Sequence, residues 1–198
     1  MSPERMSDSP VNKPETPKLR KVRLPGGGAR RRSAARLASV QALYMIHVGE
    51  QDPNDVIRDF LEGRMGGEAV EVDPDTEEER VTSLIDFDHE LFVSLVRGVL
   101  ARSDEIDGIL SQSLTSGWHW DRMENTVREI LRCGCFEIQE RTDVPPRVAI
   151  NEYVDVAHAF YAGPETRLVN AVLDRLARVI RPDEMERGRD GGGHGRQG

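Results

Sequence analysis

Apolar residues recur at intervals of three and four along most of the chain, which is the spacing of one face of an α-helix. Such stretches occupy residues 37–47, 56–61, 91–110, 127–138, 149–161 and 168–180. No stretch shows the sustained alternation of apolar and polar residues that is typical of a strand. The pattern therefore predicts an all-α protein, built as a compact bundle of about six or seven helices.

Residues that cap or break helices mark the boundaries between these stretches, because an acidic N-cap or a proline in the first turn favours a helix start. The predicted helix starts lie at Asp52-Pro53, Asp88, Asp121, Pro145-Pro146 and Pro164, and the predicted end of the last helix lies at Pro182.

Three segments lack helical periodicity. Residues 1–29 are rich in Pro, Ser, Lys and Arg, and residues 183–198 are rich in Gly and charge, so both are predicted to be disordered tails. Residues 63–86 contain Gly66-Gly67, Pro74 and an acidic run, which predicts a flexible acidic insertion. The helical domain is accordingly predicted to span residues 30–182.

Charge is distributed unevenly along the sequence. The formal net charge is −8, which by itself argues against binding to nucleic acid. However, the stretch from Arg20 to Arg36 holds seven basic residues and no acid, whereas the stretch from Glu50 to Glu90 holds fifteen acids and three basic residues. This asymmetry indicates either a basic patch for a polyanion on an acidic body or a solvated charged tail.

The remaining chemistry of the sequence predicts a cytoplasmic protein that is not an enzyme. Cys133 and Cys135 lie too close together on a predicted helix for an unstrained disulfide, and two cysteines are too few for a zinc site. No signal-peptide core and no apolar run of about 20 residues is present. No histidine pair has the spacing of a metal site, and Gly26 to Gly28 lack the lysine of a phosphate loop, so neither metal nor cofactor is expected.

Four segments of the sequence resemble the family of the transcription antitermination factor NusB. The segment from Arg30 to Tyr44 is similar to the opening of these proteins, and Val127 to Glu137 is similar to their R-A-I-L-R-x-G-A-Y-E helix. Asp143 to Glu152 and Leu168 to Asp174 are similar to the V-P-x-x-V-A-I-N-E and F-V-N-G-V-L-D motifs. The resemblance covers roughly residues 30–182, with the four motifs in the family's order.

This resemblance implies a function. NusB proteins consist of two small helical bundles, and they bind the boxA element of nascent ribosomal RNA as single-stranded RNA. They act with a small-subunit ribosomal protein in the NusE role, and with NusA, NusG and RNA polymerase, to suppress termination. By position, the resemblance implies RNA contacts at a set of residues consisting of Arg30, Arg31, Arg32, Arg36, Gln41 and Tyr44, and, with weaker support, Arg132 and Arg167.

The residue pattern of the first helix predicts which of its side chains face the core and which project from the surface. On the first helix, Leu37, Val40 and Tyr44 are expected to face the core, so that Arg36 and Gln41 project from the surface with the preceding arginines. Guanidinium groups bind phosphates and stack on bases, which suits single-stranded RNA. Tyr44 is either a stacking platform or a core residue with its hydroxyl at the edge.

Several positions depart from the family pattern or allow two interpretations. Val127 stands where the family usually has an acid, the family's Asp-Ser-His is absent near Pro164, and Ala171 replaces a glycine. Asn151-Glu152 is either an RNA or protein contact or a polar pair that ties helices together. Asn170 is expected to be a buried, hydrogen-bonded amide. The pair Trp118 and Trp120 is expected to pack, with an anchor for a partner as the alternative.

Two other functions are compatible with the same fold. One is a protein-only adaptor whose basic segment is incidental. The other is a ribosomal RNA cytosine methyltransferase, in which a NusB-like domain precedes a unit that binds S-adenosylmethionine. The sequence shows no such unit before Gly198, so the antitermination factor is preferred.

Overall fold

The computed structural model describes residues 27–65, 68–72, 79–83, 87–114 and 117–190, with side chains for residues 30–65, 87–114 and 117–186. The predicted disorder of residues 1–26 and 191–198 lies outside the described residues, as do residues 66–67, 73–78 and 84–86 of the predicted acidic insertion. Within the described part, no helix is long and apolar enough to cross a membrane.

Eight α-helices account for most of the described residues, and the predicted all-α class is confirmed. They are α1 (Gly27–His47), α2 (Pro53–Leu61), α3 (His89–Ala101), α4 (Ser103–Ser113), α5 (Asn125–Glu140), α6 (Pro146–Phe160), α7 (Pro164–Ile180) and α8 (Pro182–Asp190). A 3-10 turn, Trp120–Arg122, precedes α5. Helices α1, α2 and α3 pack together, α5, α6 and α7 pack together, and α1 and α3 join the two groups through α5.

Four of the five predicted helix starts are found in the structure, and two of them, at Asp52 and Asp88, are held by side-chain hydrogen bonds at the cap. The Asp52 carboxylate accepts from the amide of Asn54 at 2.9 Å, and the Asp88 carboxylate accepts from the amide of Leu91 at 3.0 Å. The start predicted at Asp121 is wrong, because Asp121 belongs to the 3-10 turn. Glu124 caps α5 instead, and its carboxylate accepts from the amide of Val127 at 3.2 Å.

The predicted acidic insertion contains regular structure. Strands β1 (Glu68–Val72) and β2 (Glu79–Ser83) pair antiparallel, with Glu68 opposite Ser83 and Val72 opposite Glu79. The expectation that no segment forms a strand is therefore wrong for these ten residues. Each strand is only five residues long, which is too short for a period of two to stand out in the sequence.

The C-terminal boundary at residue 182 is also wrong. Pro182 does not end the helical domain, because it occupies the first turn of α8, where a proline lacks an amide that would be unpaired in any case. Met185 is buried in the core, and the Arg147 guanidinium donates to the carbonyl of Met185 at 2.7 Å. Residues 183–190 are thus helical and α8 is docked on the body of the protein.

Helix α1 lies at the centre of the molecule, packed against α2, α3, α5 and α6. Every residue from Ser33 to Leu43 is buried. Small side chains make this possible, because they let neighbouring helices approach α1 from several directions. These side chains are Ala34, Ala35, Ala38, Ser39 and Ala42. Close packing recurs on α5, where a Cβ on Gly134 would lie 2.7 Å from Leu173 Cδ1.

Candidate nucleic-acid interface

Three consecutive arginines, Arg30, Arg31 and Arg32, lie in the first two turns of α1, and we call them the arginine turn. Arg31 and Arg32 are exposed and Arg30 is half-buried. The backbone here is fixed to the segment before α3, because the carbonyl of Arg31 accepts from the amide of Asp88 at 3.0 Å. The arginine turn therefore presents positive charge from an ordered helix that is anchored to the core.

No acidic residue accompanies the arginine turn in the first turn of α1. The helix dipole places partial positive charge at this same end, where anionic groups are favoured and cations are disfavoured. Three cations at this position do not stabilise the helix, and they add to the field of its amide groups. The arginine side chains and the helix amides thus concentrate positive charge at this end of α1, although the chain as a whole carries a net charge of −8.

Arg36 lies one turn further along α1 and is buried, with 3% of its surface exposed. Its Nη2 and Nε donate to the Glu137 carboxylate at 2.5 and 3.0 Å, and its Nη1 donates to Oε2 of Glu152 at 3.0 Å. Burial opposes the charged form of Arg36, but the hydrogen bonds and charge of Glu137 outweigh it and raise the pKa of the guanidinium. The expectation that Arg36 projects from the surface is wrong.

Two hydroxyl groups complete this arrangement. Ser33 donates to Oε2 of Glu152 at 2.5 Å, and Tyr153 donates to Oε2 of Glu137 at 2.7 Å. We call Ser33, Arg36, Glu137, Glu152 and Tyr153 the central ion network. It joins α1, α5 and α6, so Glu152 ties helices together, which was one of the two interpretations of the Asn151-Glu152 pair, whereas Asn151 is exposed.

Arg132 on α5 occupies a second buried cluster. Its Nε and Nη2 donate to the Asp107 carboxylate at 2.7 and 2.6 Å, and its Nη1 donates to Oε1 of Glu129 at 2.7 Å. His47 Nδ1 lies 3.0 Å from the same oxygen of Glu129. The guanidinium of Arg132 stands 5.6 Å from the ring centroid of Trp120, which confirms that this tryptophan packs.

The charge of Arg132 is held by its neighbours rather than presented to solvent. Burial opposes its charged form, but the hydrogen bonds and charges of Asp107 and Glu129 outweigh it and raise the pKa of Arg132. We call Arg132, Asp107, Glu129 and His47 the Arg132 cluster. It ties the C-terminal end of α1 to α4 and α5.

The remaining predicted RNA contacts are also divided between buried and accessible side chains. Gln41 is buried at 1% exposure, contrary to the expectation that it projects from α1. Tyr44 is half-buried, so part of its side chain is accessible, and Arg167 is exposed on the first turns of α7. Helix α7 packs against α4, α5, α6 and α8 rather than beside the arginine turn. Asn170 is exposed, so its expected burial is wrong.

Of the carboxylates that hold Arg36 and Arg132, only Glu152 was singled out in the sequence, whereas Glu137, Asp107 and Glu129 were not. A signal was present for Glu137, because it follows Ile130 and Gly134 at helical spacing and therefore lies on an apolar face of α5. A charged residue on such a face is rarely buried without a partner of opposite charge. No local pattern identifies that partner as Arg36, because Arg36 is 101 positions away along the chain.

Metal ligation has no support in the described residues, where no group of three or more His, Cys, Asp or Glu side chains is placed to hold an ion. The two cysteines are free and buried on α5. Burial raises the pKa of Cys135 to about 12 and that of Cys133 well above its ordinary range. Neither thiol is therefore poised for reaction at neutral pH.

Comparisons with known proteins agree with the resemblance in the motifs. Residues 33–178 match the NusB family. The chain is 49% identical to the transcription antitermination protein NusB of Rhodospirillum rubrum over 159 residues, which cover 77% of this chain and 86% of that protein. It is 44% identical to the NusB of Maricaulis maris, over 79% of this chain and 92% of that protein.

Solved structures share the fold. The NusB of T. maritima superposes with a TM-score of 0.60 at 21% identity, covering 78% of this chain and 96% of that one. A chain from a crystal structure of antitermination factors NusB and NusE in complex with dsRNA superposes with a TM-score of 0.57 at 20% identity, covering 76% of this chain and 98% of that one. From its sequence relatives, its motifs and its helical architecture, the chain belongs to the NusB family.

Proposed function

We propose that this protein is a transcription antitermination factor that binds boxA-type single-stranded RNA in nascent ribosomal RNA transcripts. The observation that carries the proposal is the arginine turn, an exposed group of cations on an anchored helix in a chain of the NusB family. Binding needs no catalytic step, and the proposal assigns none to this protein. The proposed setting is the cytoplasm, where RNA polymerase produces these transcripts.

The proposed RNA-binding surface is smaller than the set of residues expected from the sequence. Arg30, Arg31 and Arg32 are proposed as the principal phosphate contacts, since they are accessible or partly accessible. Tyr44 lies thirteen residues beyond Arg31 along α1, or about 20 Å at a rise of 1.5 Å per residue. It is proposed to contact a second part of the RNA strand. Arg167 is proposed as a peripheral contact.

The buried members of that set are proposed to act indirectly. Arg36, Arg132 and Gln41 are no more than 8% exposed. The guanidinium groups of Arg36 and Arg132 already donate to carboxylates, which a phosphate would have to displace. Their proposed role is to hold α1 against α4, α5 and α6, so that the arginine turn keeps its orientation. Pre-positioned cations bind a polyanion with a smaller loss of side-chain entropy than mobile cations do.

A protein partner is part of the proposal. A solved structure with this fold contains NusB together with NusE and dsRNA. By family membership, we propose that a small-subunit ribosomal protein in the NusE role binds this chain, and that the complex joins NusA, NusG and RNA polymerase.

The test is a titration of boxA-type RNA with the protein, with and without the ribosomal protein, at several salt concentrations. Replacing both Arg31 and Arg32 by Ala is expected to weaken binding at least tenfold. The slope of log affinity against log salt should fall by about 1.4, which is about 0.7 for each lost phosphate contact on a single strand. The matched control is Arg58→Ala with Arg178→Ala, which removes two exposed arginines on α2 and α7.

Each outcome separates the proposed function from its alternatives. Equal affinities for the Arg31/Arg32 variant, the control and the unaltered protein would exclude the arginine turn as the RNA site. Absence of RNA binding with and without the ribosomal protein, while the two proteins still associate, would favour a protein-only adaptor. A calorimetric signal with S-adenosylmethionine would favour the methyltransferase alternative.

A further inference from the structure

A cleft of about 200 Å³ opens beside the arginine turn, between the first turns of α1 and the start of α6. Arg32 and Asp143, both exposed, stand at its rim. Pro145 and Val148 form an apolar wall, and Val148 is 46% exposed, an unusual state for a large aliphatic residue on this protein. The cleft shares Arg32 with the arginine turn, so its mouth lies within reach of an RNA strand bound to the arginine turn.

The interior of the cleft is close to electrically neutral. Its floor is formed by Arg36 and Glu152, whose opposite charges are 3.0 Å apart. The Asp143 carboxylate at the rim is held by both Nε and Nη2 of Arg141, at 2.9 and 3.0 Å. A phosphate can pair with Arg32 at the rim, but a phosphate or a free ammonium group inside the cleft would have to displace the Arg36–Glu152 pair, so the interior fits a neutral ligand with an apolar face.

One hydrogen-bond acceptor in the cleft is open. Oε2 of Glu152 accepts from Ser33 and Arg36, whereas Oε1 accepts no hydrogen bond from the described part of the chain. The Glu152 side chain lines the cleft and is 19% exposed, so its carboxylate is partly accessible. A ligand that donates one hydrogen bond would therefore find a fixed, negatively charged acceptor whose position is set by the central ion network.

We propose that this cleft takes one unpaired nucleobase of the bound RNA and reads its amino group through Glu152 Oε1. A base is flat, neutral and apolar on its faces, and bases in single strands are unstacked and accessible. A carboxylate can accept from the amino group of cytosine, adenine or guanine, and cytosine is the smallest of these bases, so in a cleft of about 200 Å³ cytosine is the preferred occupant. The volume is below the range of about 300–1,000 Å³ that drug-sized ligands occupy, which fits one base.

This inference rests on the proposed function, and its test uses RNA bound by the complete chain with its ribosomal-protein partner. Val148→Asn removes the apolar wall at an exposed position, and Val179→Asn is the matched control, since Val179 is 76% exposed on α7. Circular dichroism on heating verifies that both variants fold. Each protein is titrated with boxA-type RNA in which one base at a time is removed.

For the unaltered protein, removal of one particular base is expected to weaken binding about tenfold, as for the loss of one stacked base. Val148→Asn should weaken binding of the intact RNA by a similar factor. Removal of that base should then cause no further loss of affinity in this variant. Val179→Asn should behave as the unaltered protein. Replacing a cytosine at that position by uracil, which lacks the amino group, should weaken binding about threefold to tenfold.

Two results would overturn the inference while leaving the proposed function intact. In the first, the Arg31/Arg32 variant loses affinity but no base position is coupled to Val148. In the second, Val148→Asn weakens association with the ribosomal protein in the absence of RNA, which would mean that a protein side chain occupies the cleft. If the unaltered protein binds no RNA at all, the proposed function and this inference both fail.

Discussion

Arg32 and Arg36 are four residues apart on the same helix and have the same chemistry, but they lie in opposite environments. Arg32 is exposed in the arginine turn, whereas Arg36 is 3% exposed and held by two carboxylates. The difference arises from α5 and α6, which cover α1 from Ser33 onward and bring Glu137 and Glu152 to Arg36. A run of arginines in a sequence therefore does not indicate how many of them are available to a ligand.

The comparison also separates two contributions to the same proposed interface. The arginine turn supplies charge that a polyanion can reach, and its loss is expected to cost affinity with little loss of stability. The central ion network and the Arg132 cluster supply the packing that orients α1, and their loss is expected to cost stability first. The predictions below test this separation in decreasing order of effect.

The largest effect is expected for Arg36→Met. Removal of the guanidinium leaves Glu137 and Glu152 without their buried cation, and breaking a buried ion pair typically costs about 3–5 kcal/mol. Urea unfolding at pH 7.5 measures this loss. Arg32→Met is the matched control on the preceding turn of α1, and its stability is expected to lie within about 0.5 kcal/mol of that of the unaltered protein. Similar losses in the free energy of unfolding for Arg36→Met and Arg32→Met would contradict the distinction between a buried Arg36 and an exposed Arg32.

A smaller loss is expected for Arg132→Leu. Glu129 is buried and would keep only His47, whereas Asp107 is 26% exposed and can be solvated, so we expect a loss of about 2–3 kcal/mol. Arg178→Leu removes an exposed pair with Asp174 and should cost under about 0.5 kcal/mol. If Arg132 were instead a direct phosphate contact, the folded Arg132→Leu variant would also lower the slope of log affinity against log salt by about 0.7, which an indirect role would leave unchanged.

Ser33→Ala tests the connection between the arginine turn and the central ion network. It removes one hydrogen bond to Glu152, which retains its bond to Arg36, so a loss of about 1 kcal/mol is expected. Ser39→Ala is the control, because the Ser39 hydroxyl bonds only to the carbonyl of Ala35 within its own helix. Equal thermal shifts for the two variants would show that the Ser33 bond contributes nothing specific.

The smallest perturbation is chemical and leaves the sequence unchanged. Since burial raises the pKa values of Cys133 and Cys135, both thiols should stay protonated at pH 8 and react with a thiol reagent far more slowly than in urea. In Arg36→Met the reaction should accelerate about tenfold for each 1.4 kcal/mol of lost stability, if the thiols react from the opened state. Arg32→Met should react at the rate of the unaltered protein, and acceleration in that variant would contradict the comparison.

Local sequence signals were sufficient to predict those helix starts that are set by interactions within one turn of helix. The caps at Asp52 and Asp88 and the prolines that open α6 and α7 act within one turn of helix, and all four are found in the structure. Errors arose where two local signals compete. Pro182 was interpreted as the end of a helix although it begins α8, because a proline is equally compatible with both positions.

The candidate site was only partly predictable for a different reason. The expectation that α1 has one apolar face and one polar face assumes a surface helix, but α1 is enclosed from Ser33 to Leu43. Its polar residues Arg36 and Gln41 are therefore inside. The abundance of alanine in this stretch was interpreted as helix propensity, whereas its structural consequence is that four helices can approach closely.

By itself, the sequence determined the helical class, the family and the segment that carries the exposed cations, because these depend on residue types and short spacings. The tertiary structure decided which arginines are available. Arg36 meets carboxylates 101 and 116 positions away, and Arg132 meets one 25 positions away. Such partners are brought together only by helix packing, and burying a guanidinium is tolerable only where its carboxylates are already in place.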